Sequence, residues 1–140
     1  MSPKRRILVI DSETVMLRAF ERILFRFDLT TCSSLAEARR WLDGPPFDAI
    51  VCEVKLRDGD GIALFDELRS AAPEQAARFV FTSTAADDPF VRTRLERTRA
   101  PYLCKPFFVP MFVEMVTCLS EGQQPRRTSS ARRLWVQPYV

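Results

Sequence analysis

Phe47-Asp48-Ala49-Ile50-Val51-Cys52-Glu53-Val54-Lys55-Leu56-Arg57-Asp58-Gly59-Asp60-Gly61 (FDAIVCEVKLRDGDG, residues 47–61) decides the fold. Ala49 to Cys52 is an unbroken apolar run of strand length, and it stops at an acid, Glu53. The aspartates and glycines that follow read as a turn, after which Ile62, Leu64, Phe65 and Leu68 recur at helical spacing. A strand that is apolar on both faces and then turns into an amphipathic helix is the repeating unit of a parallel sheet covered on both sides.

Outward from this unit the pattern recurs. Ile7 to Ile10, Leu29 to Cys32, Phe79 to Phe81 and Tyr102 to Cys104 are further short apolar runs. Between them lie helical stripes: Val15, Phe20, Ile23, Leu24 and Phe27, then Leu35, Ala38 and Leu42. Ser34 with Glu37 predicts a capping box, Gly44 with Pro45 and Pro46 a helix stop, and Asp88 before Pro89 a helix start. The fourth helix, over residues 90–99, has mainly Phe90, Val91 and Leu95 as apolar anchors and is expected to be the most mobile. The fifth is expected from about Val109 to Leu119. Phe20, Phe27, Leu64 and Phe112 read as core. The fold class is therefore α/β: a (βα)5 doubly wound parallel sheet of five strands with right-handed crossovers.

With 140 residues, of which 46% are hydrophobic and 28% charged, the chain suits one domain with one core. Its net charge of +3 is unevenly placed. Residues 1–121 hold 17 basic against 18 acidic side chains, whereas residues 122–140 hold four arginines and no acid. The organisation expected is one domain over 1–121 and a basic, flexible tail over 122–140. Arg126, Arg127, Arg132 and Arg133 raise a nucleic-acid-associated alternative, but a short basic run without a following helix-turn-helix favours a solvated tail. Trp135, Val136 and Tyr139 add an apolar end that could dock on a partner or on the domain.

The scattered Cys32, Cys52, Cys104 and Cys118, with no histidine in the chain, argue against a zinc site or a disulfide framework. No run approaches the roughly 18 apolar residues of a membrane span, so a cytoplasmic protein is expected. A flavin or nucleotide site is disfavoured, because the first loop, Asp11-Ser12-Glu13-Thr14, is acidic and lacks glycine. A hydrolase is disfavoured too, since no nucleophile is set beside a base, and the chain reads as a non-enzyme.

In a doubly wound sheet the functional crevice lies at the carboxyl ends of the strands. There the sequence places Asp11, Ser12 and Glu13, then Glu53, then Thr82, Ser83 and Thr84, and finally Lys105 and Pro106. Through ILVIDSE, FDAIVCEVKLRDGDG and PYLCKPF, the chain over about residues 4–120 resembles the receiver domain of two-component response regulators. The resemblance implies a flavodoxin-like fold of sheet order 2-1-3-4-5, in which an aspartate takes a phosphoryl group from a histidine kinase with Mg2+ help.

It also implies a role for each residue. Glu53, eight residues before Gly61, stands where the family has its phosphoacceptor aspartate. Its extra methylene moves the carboxylate by roughly 1.5 Å, and displacements of about 1 Å can already cost about a hundredfold in rate. Asp11 and Ser12 take the places of the family's metal-binding acidic pair, so one of two carboxylates is missing. A site of Asp11, Glu53 and the Lys55 carbonyl should hold Mg2+ weakly or not at all; Glu13 compensates in part, and a Lys55 ammonium pointing inward would repel the ion. Lys105 matches the lysine that pairs with the acceptor, and Pro106 the proline that follows it through a cis peptide. Ser83 is the switch hydroxyl, with Thr82 and Thr84 as neighbouring alternatives, and Tyr102 is the aromatic switch.

The function expected is a signal-transduction receiver module that works independently of phosphorylation through protein–protein contacts. A conventional phosphoryl-accepting receiver is the alternative. By family analogy the partner is a histidine kinase or a downstream signalling protein. It would meet the fourth helix, fifth strand and fifth helix around Phe90, Arg94, Tyr102 and the helix after Phe108, and a homodimer through the same face is possible. Membrane association is not expected.

Overall fold

The computed structural model describes residues 3–85 and 88–125. Five parallel strands form one sheet: β1 (Arg6–Ile10), β2 (Asp28–Cys32), β3 (Ala49–Glu53), β6 (Phe79–Ser83) and β7 (Tyr102–Cys104). Their spatial order is β2-β1-β3-β6-β7, which is the 2-1-3-4-5 arrangement expected. The numbering of β6 and β7 allows for a two-residue hairpin, β4 (Lys55–Leu56) with β5 (Gly59–Asp60), that the sequence reading did not foresee. The helices are α1 (Thr14–Ile23), α2 (Leu35–Leu42), α3 (Gly61–Ala71), a single turn α4 (Pro73–Ala76), α5 (Pro89–Thr98) and α6 (Val109–Ser120).

Strand alternation sorts the core into two layers. Leu8, Ile10, Ile50, Cys52, Phe79, Phe81 and Tyr102 face α2, α3 and α5, where they meet Leu35, Ala38, Phe65 and Leu95. Ile7, Val9, Ala49, Val51, Val80 and Leu103 face α1 and α6, where they meet Leu17, Phe20, Phe112 and Val116. Each layer has an aromatic cluster. Phe65, Phe79 and Phe81 pack with centroids 4.9–5.5 Å apart, and Phe20 and Phe107 each pack on Phe112, at 5.3 and 4.8 Å. Such pairs contribute about 0.5–1.5 kcal/mol each beyond the area they bury.

The caps follow the residue types. Ser34 accepts from the Glu37 N–H at 3.2 Å, while the Glu37 carboxylate turns to the Ser33 hydroxyl at 3.3 Å, so the capping box is half made. Asp58 completes the end of α2 from another loop, accepting from the Leu35 and Ala36 N–H groups at 2.9 and 3.1 Å. Asp60 caps α3 through the Ile62 N–H, and Asp88 caps α5 through the Phe90 N–H.

Several expectations are corrected. Val15 is 77% exposed; the inward stripe of α1 is Leu17 and Phe20, continued by Leu24. Phe27 lies past the end of α1 and is only half-buried. Phe90, expected as an anchor of α5, is 76% exposed, and Leu95 alone of that trio is fully buried. Glu53, Thr82 and Ser83 lie inside their strands rather than beyond them. Gln123 and Gln124 remain bound to the domain, the first by N–H to Cys118 O at 2.9 Å and the second by its side chain to Ala77 O at 2.9 Å. The four tail arginines, Trp135, Val136 and Tyr139 lie outside the described residues.

Candidate functional site

The alternation that builds the α1/α6 layer also builds the site. Ile7 and Val9 are followed in that series by Asp11, Ala49 and Val51 by Glu53, Val80 by Thr82, and Leu103 by Lys105. Because the strands end at nearly the same level, four polar side chains succeed the apolar ones at one edge of the layer. Parallel pairing aligns Glu53 with Thr82, and the Lys105 N–H donates to Ser83 O at 2.8 Å.

Lys105 lies between the two buried acids. Its Nζ is 2.6 Å from Asp11 Oδ2 and 3.3 Å from Glu53 Oε1. Ser12 holds the other Glu53 oxygen: its backbone N–H reaches Oε2 at 3.0 Å and its hydroxyl donates to the same atom at 2.9 Å. The other Asp11 oxygen, Oδ1, accepts from the Glu13 N–H at 2.9 Å. All four carboxylate oxygens are therefore already acceptors.

These contacts move the two acids in opposite directions. Burial pushes Asp11 above the ordinary 3.8, and Lys105 and the Glu13 N–H offset only part of that rise. Burial also raises Glu53, but the two Ser12 donors and Lys105 together outweigh it and hold Glu53 below the ordinary 4.5. Asp11 is the more deeply buried of the two and faces the charge of Glu53, while Ser12 gives Glu53 two donors where Asp11 has one backbone amide.

Ser83 is buried, and its hydroxyl accepts from the Ala85 N–H at 3.0 Å. Thr82, in the same register as Glu53, has a buried hydroxyl without a hydrogen-bond partner among the described residues. Tyr102 is 5% exposed, with its ring in the α2/α3/α5 layer. The Lys105–Pro106 peptide is cis. Lys55 opens the short hairpin with an exposed side chain, where solvent screens its charge. Arg94, expected on the partner face, pairs with Asp60 and keeps its side chain 37% exposed.

Asp11, Glu13 and Glu53 can bring one carboxylate oxygen each within 4.8 Å of the others, enough anionic oxygen to attract a divalent ion. The donor set nevertheless fits a resident Mg2+ poorly. Mg2+ needs near-octahedral oxygen ligation, and three of the four buried carboxylate oxygens already face Lys105 or Ser12, which leaves Asp11 Oδ1, bonded by the Glu13 N–H, as the oxygen most open to an ion. The thiols are not arranged for chemistry either. Cys32 is pushed up to about 12 by burial, and Cys52, fully buried, is pushed up as well.

Sequence spacing located Asp11, Glu53 and Lys105, and the structure brings them together. It did not show that Ser12 would serve Glu53, or that Asp58 and Asp60 would tie the loop after Glu53 to α2 and α5. These contacts depend on rotamers, which no spacing reveals.

Comparison with known proteins agrees with the fold. The family model described as the response regulator receiver domain matches residues 7–117, and the chain belongs to that family. The transcriptional regulatory protein PrrA of Mycobacterium bovis is 29% identical over 135 residues, covering 95% of this chain and 57% of that protein. The alginate biosynthesis transcriptional regulatory protein AlgB of Pseudomonas putida is 28% identical over 103 residues, covering 72% of this chain and 22% of that protein. The chain thus spans little more than half of one curated relative and under a quarter of the other. Among solved structures, a CheY-like response regulator receiver domain protein from Methanospirillum hungatei superposes with a TM-score of 0.76 at 20% identity, over 87% of this chain and 97% of that one. Receiver domains are signalling modules of two-component systems, and they interact with kinases or other signalling proteins. No helix among the described residues is long and apolar enough to cross a membrane.

Proposed function

We propose that this receiver signals without accepting a phosphoryl group, as a phosphorylation-independent module that acts by binding protein partners. One observation carries the reading: both oxygens of Glu53 are engaged, Oε2 by two donors of Ser12 and Oε1 by Lys105. A carboxylate must present a free oxygen in line with the incoming phosphorus and beside a metal ion. Glu53 starts one methylene out of place and tied on both sides, and the acid that would help hold the metal is a serine.

The same contacts support a standing role for the site. Glu53 keeps its charge near Lys105, where a phosphoryl group of about −1.5 to −2 would otherwise sit. A single charge imitates that group incompletely, so the reading is of a fixed state rather than a full mimic. The partner, a histidine kinase or a downstream signalling protein in the cytoplasm, would meet α5, β7 and α6, where Phe90, Phe108 and Val109 are 76%, 48% and 42% exposed. A homodimer through this face is the other arrangement it allows.

The test is an amide NMR titration with Mg2+ followed by beryllofluoride, which imitates the phosphoryl group on a receiver aspartate. The expected result is no saturating shift at Glu53, Ser83 or Tyr102. Shifts that saturate at millimolar Mg2+ and move again with beryllofluoride would establish the conventional receiver instead. Independently, Glu53→Ala should weaken partner binding, and unchanged affinity would remove Glu53 from the signalling state.

A further inference from the structure

Away from the acidic site, α5 carries Arg92, Arg94 and Arg97 with Arg99 at its C-cap, against a single acid, Glu96. Helix α3 lies alongside it and contributes Asp66 and Arg69. Between the two helices is a hollow of about 220 Å3 lined by Asp66, Arg69, Arg94, Arg97 and Thr98. It adjoins a second hollow of about 270 Å3 that shares Arg69 and Thr98 and extends over Phe65, Pro73, Arg99 and Pro101. The two hollows, joined through Arg69 and Thr98 into one groove, carry guanidinium groups along their length, with Pro73 exposed at one end.

Two of the groove's four arginines are engaged inside the protein. Arg94 pairs with Asp60, and Arg69 lies 5.4 Å over the Phe65 ring and donates to Thr98 O at 3.4 Å. Neither Arg97 nor Arg99 takes part in an ion pair among the described residues. One cation near the end of α5 is accounted for by the helix dipole, but four arginines in one groove are not. Guanidinium forks are matched to carboxylates, which accept two parallel hydrogen bonds from them.

We propose that this groove docks an acidic segment of a partner protein. Its carboxylates would meet Arg97, Arg99 and Arg69, and an apolar side chain would find contact at the exposed Pro73, since Phe65 and Pro101 are buried. A nucleic acid fits less well: its phosphates stand at a fixed regular spacing, and Asp60 and Asp66 interrupt the positive surface such a row would need, whereas the few carboxylates of a peptide can be set at Arg97, Arg99 and Arg69 alone. The groove lies on the α3 side of α5, apart from the α5–β7–α6 face, so it adds a second contact and does not depend on the state of Glu53.

The test uses the full chain and, as probe, a short glutamate-rich peptide with a central phenylalanine, titrated at low ionic strength and followed by amide NMR. Shifts are expected at Ile62, Asp66 and Thr98. Affinity should fall about tenfold in Arg97→Glu/Arg99→Glu and stay unchanged in Arg22→Glu on α1. Arg97→Glu alone serves if the double variant does not fold, with a smaller loss expected. Absence of binding, equal binding by the variant, or shifts centred elsewhere would overturn the proposal. So would a duplex DNA oligomer that displaces the peptide from the same amides.

Discussion

Replacing Lys105 with methionine tests the central ion cluster directly. The aliphatic stem is kept and the cation removed, so lost packing contributes little. In the wild type, Nζ lies 2.6 Å from Asp11 and 3.3 Å from Glu53, whose side chains are 1% and 8% exposed. Without it two buried carboxylates face each other with no cation between them. Removing one partner of a buried ion pair costs about 3–5 kcal/mol, and that is the loss expected at neutral pH. Urea denaturation over a series of pH values would measure it. In the wild type Glu53 has a folded pKa below 4.5, so its contribution is present above that value and is lost as pH falls through the lowered pKa. Asp11, raised above 3.8, acts the other way and costs stability while charged. In Lys105→Met both acids lose the cation that lowers them, so the folded variant binds more protons than the folded wild type and its deficit shrinks as pH falls. The deficit should therefore be greatest near pH 7 and shrink towards pH 4. A deficit under about 1 kcal/mol, or one that is constant with pH, would refute the assignment of Lys105 as the cation that makes the two buried acids tolerable.

Three further changes probe the surroundings. Ser12→Asp removes the 2.9 Å hydroxyl bond to Glu53 and sets an anion beside it, so about 2 kcal/mol should be lost, and millimolar Mg2+ should raise the melting temperature of the variant but not of the wild type. Equal insensitivity of both proteins to Mg2+ would count against that account. Thr82→Val replaces a buried hydroxyl that has no partner with a methyl group of similar shape, and should stabilise the fold by about 1 kcal/mol in chemical denaturation. A loss of stability would mean that the hydroxyl has an acceptor in solution. Gly61→Ala would place its Cβ 2.3 Å from Glu53 O and 2.9 Å from Cys52 Sγ, contacts with the strand that carries Glu53, and should cost about 3 kcal/mol by the same assay.

The sheet was legible because four of its strands are apolar runs buried on both faces, which have few alternatives once they alternate with helical segments; β2, the edge strand, holds two threonines and buries only Cys32, and is placed by that alternation. Glu53 was legible through its distance to Gly61, a spacing fixed by the turn that opens α3. Helix faces were less so. At about 100° per residue, an error of one or two positions in the inward direction exchanges Val15 for Leu17, or gives Phe90 a core role it does not have. Long polar side chains were least legible of all. Arg94 could have faced solvent or a partner, and what fixes it is Asp60, 34 residues earlier in the chain and close only after the sheet has formed. The single turn Pro73–Ala76 and the hairpin of Lys55–Leu56 with Gly59–Asp60 are too short to leave a periodic signal.

Ser12 and Glu53 make more sense as a pair than as two separate departures from the receiver pattern. A glutamate alone, with an aspartate at position 12, would push a longer carboxylate towards a second anion. A serine alone, with a shorter acceptor at position 53, would hold its hydroxyl back from the carboxylate it now reaches at 2.9 Å. Together they turn a repulsion into a hydroxyl hydrogen bond beside the one from the Ser12 backbone N–H, and the charge of the buried cluster changes with them. Asp11 and Glu53 with Lys105 leave one net negative charge, where a second acid at position 12 would leave two. A divalent ion gains most where several uncompensated anionic oxygens converge. Under the proposed function, the replacement that lets Glu53 fit would also remove much of the reason for a metal to bind, and with the metal the ordinary route to phosphorylation.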